Sequence, residues 1–282
     1  MLTLATLPGL TSSLLGALAP GKARLAHDQP LPAIALRVSA VALAPARLEA
    51  YRRFFGFAAP LPLAWLYLPA QRAQLALLNR REFPLGAAGL IHVANSIQSL
   101  AAVTADAPIA ITIRLGQQNT RRSGRQFDLD TEIEQDGRVK ALIRSTYLAR
   151  APRAARTAPS ATSRSAASEG ESLAVIAVPS SLGLSYARLS GDWNPIHLHR
   201  WGARPFGLAQ PIAHGMCVAA TALSALEKRE GRCARQFDAQ FLLPVPLGSS
   251  AECLGVAAAT PGATSAHVML AGRCAQIIRA QF

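Results

Sequence analysis

Lysine, cysteine and aromatic residues are scarce in this 282-residue chain, and each scarcity excludes something. Lys22, Lys140 and Lys228 are the only lysines, so the net charge of +13 is almost entirely arginine. Guanidinium forks match phosphate and carboxylate groups, so the surplus suits phosphate-bearing or acidic partners; a GC-rich genome, in which Arg codons displace Lys, leaves the same mark. The charge is spread, +8 over residues 1–150 and +5 over 151–282, with no basic stripe interleaved with aromatics. Nucleic acid is therefore not an expected partner. The four cysteines, Cys217, Cys233, Cys253 and Cys274, form no Cys-x-x-Cys pair, which leaves a thiolate metal site and a redox motif without support. They read as buried free thiols in a reducing, cytoplasmic compartment. Apolar stretches are broken before the ~20 residues that a spanning helix needs, so no membrane is expected. Residues 1–20 are apolar, but Lys22 follows that run instead of preceding it, which is the wrong order for a secretory signal. This segment reads as an irregular arm. Gly-x-Gly-x-x-Gly, P-loop and Gly-x-Ser-x-Gly patterns are all missing, so nucleotide redox chemistry, ATP chemistry and a serine-nucleophile elbow have no foothold.

Half of the residues are hydrophobic and 16% are charged, enough for a sizeable core in one large or two ordinary domains. Residues 151–172 are almost all Ala, Ser, Thr, Pro, Gly and Arg, with no large apolar side chain. Such a composition cannot offset its ordering entropy by burial and reads as a linker between domains at 1–150 and 173–282. In the first, alternation predicts a strand over 33–43 and helical spacing predicts helices over 44–57 and 63–79. Strands follow over 89–100, 108–118 and 125–150, the last with a hairpin turn at Gln135-Asp136-Gly137. Strand 173–178 opens the second domain. A helix follows with Ser180 or Ser181 as its cap, ending at Gly191. A turn-rich stretch leads to a helix over 215–229 with an apolar face, then strands over 235–242, 251–259 and 265–281. The two halves share one element order, which suggests a duplicated fold.

Three of the six histidines, His197, His199 and His214, fall in one short island. Asp192, Asn194 and His197 lie two and three residues apart on a turn freed by Gly191 and stiffened by Pro195. A carboxylate, an amide and an imidazole there can converge on a small reactant such as water, for acid–base work. A plain Asx-turn beside a surface histidine fits the same spacing. His214-Gly215 opens a helix, whose first N–H groups have no internal partner and face outward at the positive end of the dipole. A glycine there lets a substrate oxygen approach the backbone; it also suits close helix–sheet packing. Three histidines and an aspartate could hold zinc, but His197 and His199 at i, i+2 face opposite ways in extended chain, and no metal is expected.

Tyr186 followed by Ser190-Gly191-Asp192-Trp193-Asn194-Pro195-Ile196-His197, with Ala203 six residues on, resembles the signature of the MaoC-like dehydratases, the (R)-specific enoyl-CoA hydratases or hydratase 2. Pro211-Ile212-Ala213-His214-Gly215-Met216 is similar to their helix start. The resemblance implies an α+β, double hot-dog fold, an antiparallel sheet around a long central helix in each of two repeats, the first degenerate. It implies reversible hydration of trans-2-enoyl thioesters to (3R)-3-hydroxyacyl thioesters. On the same ground Asp192 and His197 are catalytic, Asn194 orients water or substrate, and the backbone N–H of Gly215 binds the thioester oxygen. No cofactor is implied. The expected substrate carrier is CoA or an acyl carrier protein, and a homodimer is compatible with the fold. Trp65, Leu68 and Leu75 are candidates to line an acyl tunnel. Where the family often has an acidic residue two positions after the histidine, this chain has His199. A non-catalytic acyl-thioester-binding module, or a partner subunit of a dehydratase complex, is the alternative reading.

Overall fold

The structure is a computed structural model and describes residues 1–9, 29–87, 89–121, 124–151, 170–258 and 262–282. The proposed linker thus lies mostly outside the described residues, as does most of the N-terminal arm. The chain divides into two compact units: Met1–Pro45 with Leu66–Ala161, and Ala46–Trp65 with Thr162–Phe282. Each is a sheet, antiparallel but for one edge pair in the first unit, packed on one long helix, the hot-dog arrangement.

In the first unit the strands are β1 (Leu2–Leu4), β2 (Ala35–Val41), β3 (Leu90–Ser99), β4 (Ile109–Arg121), β5 (Gly124–Gln135) and β6 (Arg138–Arg150). Their order across the sheet is β1-β2-β4-β5-β6-β3. β1 was expected to be irregular; instead it pairs in parallel with β2, Thr3 opposite Arg37, which gives an edge strand a neighbour. β5 and β6 turn at Asp136 (φ 54°) and Gly137 (φ 69°), the left-handed pair that a two-residue hairpin needs. The second helix of the chain, α2 (Tyr67–Leu78), packs on β2, β4 and β5. Leu68 is buried there. Between α2 and the sheet runs a polar seam. Gln74 donates to Thr131 Oγ1 and Ser145 Oγ, both at 3.0 Å, and accepts from the Tyr147 hydroxyl at 3.0 Å. Hydrogen bonding within the seam removes the cost of burying these groups.

The second unit has strands β7 (Glu171–Val178), β8 (Gln236–Phe241), β9 (Ser249–Val256), β10 (Ala263–Leu270) and β11 (Arg273–Gln281), in the order β8-β11-β10-β9-β7. The expected long strand over 265–281 is a hairpin. Ala271 (φ 48°) and Gly272 (φ 74°) form its turn, and an Ala-Gly pair carries little turn signal in sequence. The central helix is α5 (Gly215–Glu230), with Ala219, Ala220, Leu223 and Leu226 fully buried against β7, β8, β10 and β11. Its cationic last turn, Lys228 and Arg229, ends at Gly231 in the left-handed region.

The first helix, α1 (Pro45–Phe55), belongs to this second unit although its sequence lies in the N-terminal half. Tyr51 is buried against Phe55, Phe57 and Trp65 at ring distances of 4.6, 6.0 and 5.3 Å. The Phe55 carbonyl accepts from Ser224 Oγ of α5 at 2.7 Å, and the Phe55 ring meets Tyr186 edge-on at 6.1 Å. The helix α3 (Leu182–Ser190) carries Tyr186; Ser181 at its start makes no side-chain cap bond, contrary to expectation. Cys217, Cys253 and Cys274 are buried thiols, whereas Cys233, two residues beyond the Gly231 stop of α5, is exposed. No helix among the described residues is long and apolar enough to cross a membrane.

Candidate active site

The turn after α3 is built by local hydrogen bonds from small polar side chains. Gly191 (φ 83°) closes the helix in a conformation that a β-carbon disfavours. Ser190 Oγ, anchored on the Tyr186 carbonyl at 2.7 Å, accepts from the Asp192 N–H at 3.1 Å. Asp192 Oδ1 accepts from the Asn194 N–H at 3.1 Å, and Asn194 Oδ1 from the Ile196 N–H at 3.3 Å. The Asn194 side chain thereby caps a single 3₁₀ turn, Pro195–His197, and presents His197 inward. The Ile196 carbonyl accepts from the Ile212 N–H at 3.2 Å, closing the loop across the intervening residues. That intervening stretch contains the short helix α4 (Arg200–Ala203), whose entry His199 caps from the exposed side.

The closed loop brings His214 beneath His197. Their rings stack with centroids 3.8 Å apart and planes inclined by 27°; Tyr186 lies against His214 at 4.8 Å. One donor-type atom from each of Asp192, His197 and His214 lies within 4.8 Å of the other two. Both imidazoles are buried, and Asp192 is half-buried. His197 Nδ1 sits 2.9 Å from the Ile212 carbonyl oxygen. A carbonyl only accepts, so Nδ1 carries the proton and the neutral ring turns the Nε2 lone pair to the site. His214 Nε2 sits 3.0 Å from the Asp192 carbonyl oxygen, which fixes the opposite tautomer. Burial lowers the pKa of His197, opposed by the negative charge of Asp192. Burial, then the neighbouring His197, bring that of His214 to about 3. Both rings are therefore neutral at pH 7. Two imidazoles that share an ion aim in-plane lone pairs at one point, whereas these rings lie nearly face to face, each with one nitrogen held by a carbonyl. The trio fits proton transfer better than chelation.

Gly215 follows as the first residue of α5, so its N–H belongs to the first turn and lacks an intrahelical partner. Its carbonyl accepts from Gln276 Nε2 on β11 at 3.1 Å, which steadies that turn. A β-carbon on Gly215 would stand 3.0 Å from Cδ1 and 3.1 Å from Cε1 of Phe241. The structure thus brings Asp192, Asn194, His197 and the start of α5 at His214-Gly215 to one place in the second unit. His199 remains outside. Sequence reasoning missed the supporting set of Ser190, the Ile212 carbonyl, Phe241 and Gln276. Ser190 alone had a local signal, as a hydroxyl two residues before an aspartate at a helix end.

A family model described as a MaoC like domain matches residues 174–259. A curated relative, 3-hydroxyacyl-thioester dehydratase X of Mycobacterium tuberculosis, is 26% identical over 248 residues, covering 87% of this chain and 88% of the relative. Among solved structures, HtdX of Mycobacterium tuberculosis superposes with a TM-score of 0.74 at 23% identity, over 88% of this chain and 99% of that one. A MaoC-like dehydratase from Phytophthora capsici gives 0.63 at 17% identity, over 90% of this chain and 96% of that one. These superpositions establish the double hot-dog fold.

Proposed function

From a MaoC-like domain at residues 174–259, we propose that this chain is a hydro-lyase that interconverts trans-2-enoyl and (3R)-3-hydroxyacyl thioesters. The observation that carries the reading is the convergence of the Asp192 carboxylate and the His197 imidazole within 4.8 Å, inside the segment matched by the family model. The name of the curated relative, a 3-hydroxyacyl-thioester dehydratase, supports the same substrate class.

In the hydration direction a water held between Asp192 and His197 adds its oxygen to the β carbon. One proton leaves that water for the neutral His197 Nε2 as the C–O bond forms, and the Asp192 carboxylate balances the imidazolium. The electron pair of the double bond moves onto the thioester as an enolate, stabilised by the Gly215 N–H at the positive end of α5. Return of the proton to the α carbon completes a syn addition, with nothing consumed but water. Asn194 acts by holding the 3₁₀ turn that aims His197.

Loss of the enoyl-thioester absorbance with crotonyl-CoA, and with the crotonyl carrier-protein thioester, tests the activity and ranks the carriers. Asp192→Asn and His197→Gln keep shape and hydrogen bonding but remove the basic atom. Each is expected to cut kcat by about 10²-fold or more with KM little changed, the range of acid–base catalysis and the mark of a transition-state interaction. Tight binding of the thioester with no turnover would instead make the chain a binding module.

A further inference from the structure

The reaction proposed above uses Asp192, His197 and the Gly215 N–H but gives no task to His214, the most deeply buried histidine of the site. Its ring lies between Tyr186 on one side and His197 on the other, at 4.8 and 3.8 Å. Its Nε2–H is given to the main-chain carbonyl of Asp192, the residue whose side chain must meet His197. Its own carbonyl accepts from the N–H groups of Cys217 and Val218, at 3.0 and 3.3 Å, and so starts α5 one residue before Gly215. One residue thereby touches the turn of the acid, the ring of the base and the first turn of the helix behind the oxyanion.

We propose that His214 is a positioning residue, a neutral imidazole plate that locks the Asp192 turn and fixes the plane of the His197 ring, so that carboxylate and Nε2 face one water. It transfers no proton. A neutral plate is required because a charged one, 3.8 Å from His197, would repel the imidazolium that forms during turnover. The titratable groups that face it are Asp192 and His197 on the loop and Tyr186 on α3. None of these supplies a fixed positive charge, and burial disfavours charge on the ring itself. Tyr186 is likewise held neutral by burial. The alternative, a proton shuttle, requires His214 to titrate within the working pH range.

The inference rests on the proposed dehydratase chemistry for its kinetic arm but not for its spectroscopic one. In the native protein labelled with ¹⁵N-histidine, His214 is expected to remain the neutral Nε2–H tautomer from pH 8 down to about pH 5, a range that spans the ordinary histidine pKa. His197 is expected to show the Nδ1–H tautomer when neutral. A His214 signal that titrates near 6.5, or one protonated at Nδ1, overturns the proposal whether or not the enzyme turns over enoyl thioesters. In the kinetic arm, His214→Phe keeps the stacked ring and loses the donor, and His214→Gln keeps a donor and loses the ring. Each is expected to lower kcat about tenfold or more with KM within about twofold, as for a loss confined to the transition state. The Phe variant should leave the acid limb of the pH–rate profile in place, since His197 stays buried. His214→Ala should move that limb to higher pH by admitting water. Wild-type kcat in folded Phe and Gln variants would overturn the role. If crotonyl thioesters are not turned over at all, the function fails while the tautomer result still decides the placement of His214.

Discussion

At the residue scale the candidate site holds two neutral imidazoles whose tautomers are set by backbone carbonyls. Ile212 fixes the proton of His197 on Nδ1, and Asp192 fixes that of His214 on Nε2. Burial lowers both pKa values, to about 3 for His214. For a base whose folded pKa lies below its unfolded value, the unfolded chain binds more protons in the interval between them. Stability is then complete above about pH 6.5 and declines as pH falls toward the folded value. In the proposed reaction activity follows the same sign, because a protonated His197 cannot accept a proton from water. We expect kcat/KM to be flat from pH 8 to 7 and its acid limb to lie below about 6.5, the ordinary histidine value. The melting temperature should begin to fall in the same region. A pH–rate profile paired with thermal melts checks both, and an acid limb above pH 7 would mean that His197 is not the buried neutral base. The turn itself was legible in Asp192 and Asn194, whose side chains bond two residues on, where spacing determines contact, whereas the contact of His197 with the Ile212 carbonyl was not, and the roles of the three came from the resemblance. Stacking of His214 on His197 was not legible, since it depends on the loop closing between Ile196 and Ile212.

At the element scale the start of α5 is closely packed, and in the proposed reaction the same turn also binds the enolate. Gly215 has no positive φ, so its lack of a side chain serves space and not backbone conformation. The occupant of that space is the Phe241 ring at the end of β8, 3.0–3.4 Å from where a β-carbon would stand. Alanine is the better helix former by up to about 1 kcal/mol in a helix interior, so Gly215→Ala is expected to leave the melting temperature within a few degrees of wild type. The displaced Phe241 ring should nonetheless crowd the approach to the N–H and cut kcat about tenfold, an effect of the size seen for a weakened oxyanion donor. Activity measured beside a thermal melt separates the two effects; unchanged kcat would remove the Gly215 N–H from the mechanism. The fold was legible at this scale wherever periodicity was strong, as for α5 and the β5–β6 hairpin with its Asp136-Gly137 turn. It was not legible where the signal was chemical silence: Ala271-Gly272 turns β10 into β11 with no Asn, Asp or Pro to mark it. β1 owes its structure to pairing with β2, which its own three residues do not announce.

At the scale of the whole molecule, the chain order and the packing order differ. Residues Ala46–Trp65 lie in the N-terminal half of the sequence and in the second compact unit of the fold. They supply Tyr51, Phe55 and Phe57 to that unit's core and the Phe55 carbonyl to Ser224 at the middle of α5. Phe55 also backs Tyr186, whose ring supports His214. The segment is thus part of the housing of the site, although none of its residues lies in the motif island. Removing three large aromatic side chains from a core costs about 3–5 kcal/mol apiece, which together rival the entire stability of an ordinary domain. A fragment of residues 170–282 alone is therefore expected to be insoluble or molten and inactive, despite carrying Asp192, Asn194, His197 and Gly215. Co-expression of residues 1–151 and 170–282 as separate chains should rebuild the unit, because α1 of the first chain docks on α5 and α3 of the second. A purification tag on one chain should recover both, with hydratase activity within about tenfold of the intact protein, a modest loss for an association that is no longer intramolecular. An isolated 170–282 fragment that folds and turns over substrate at the full rate would show that α1 is dispensable to the site.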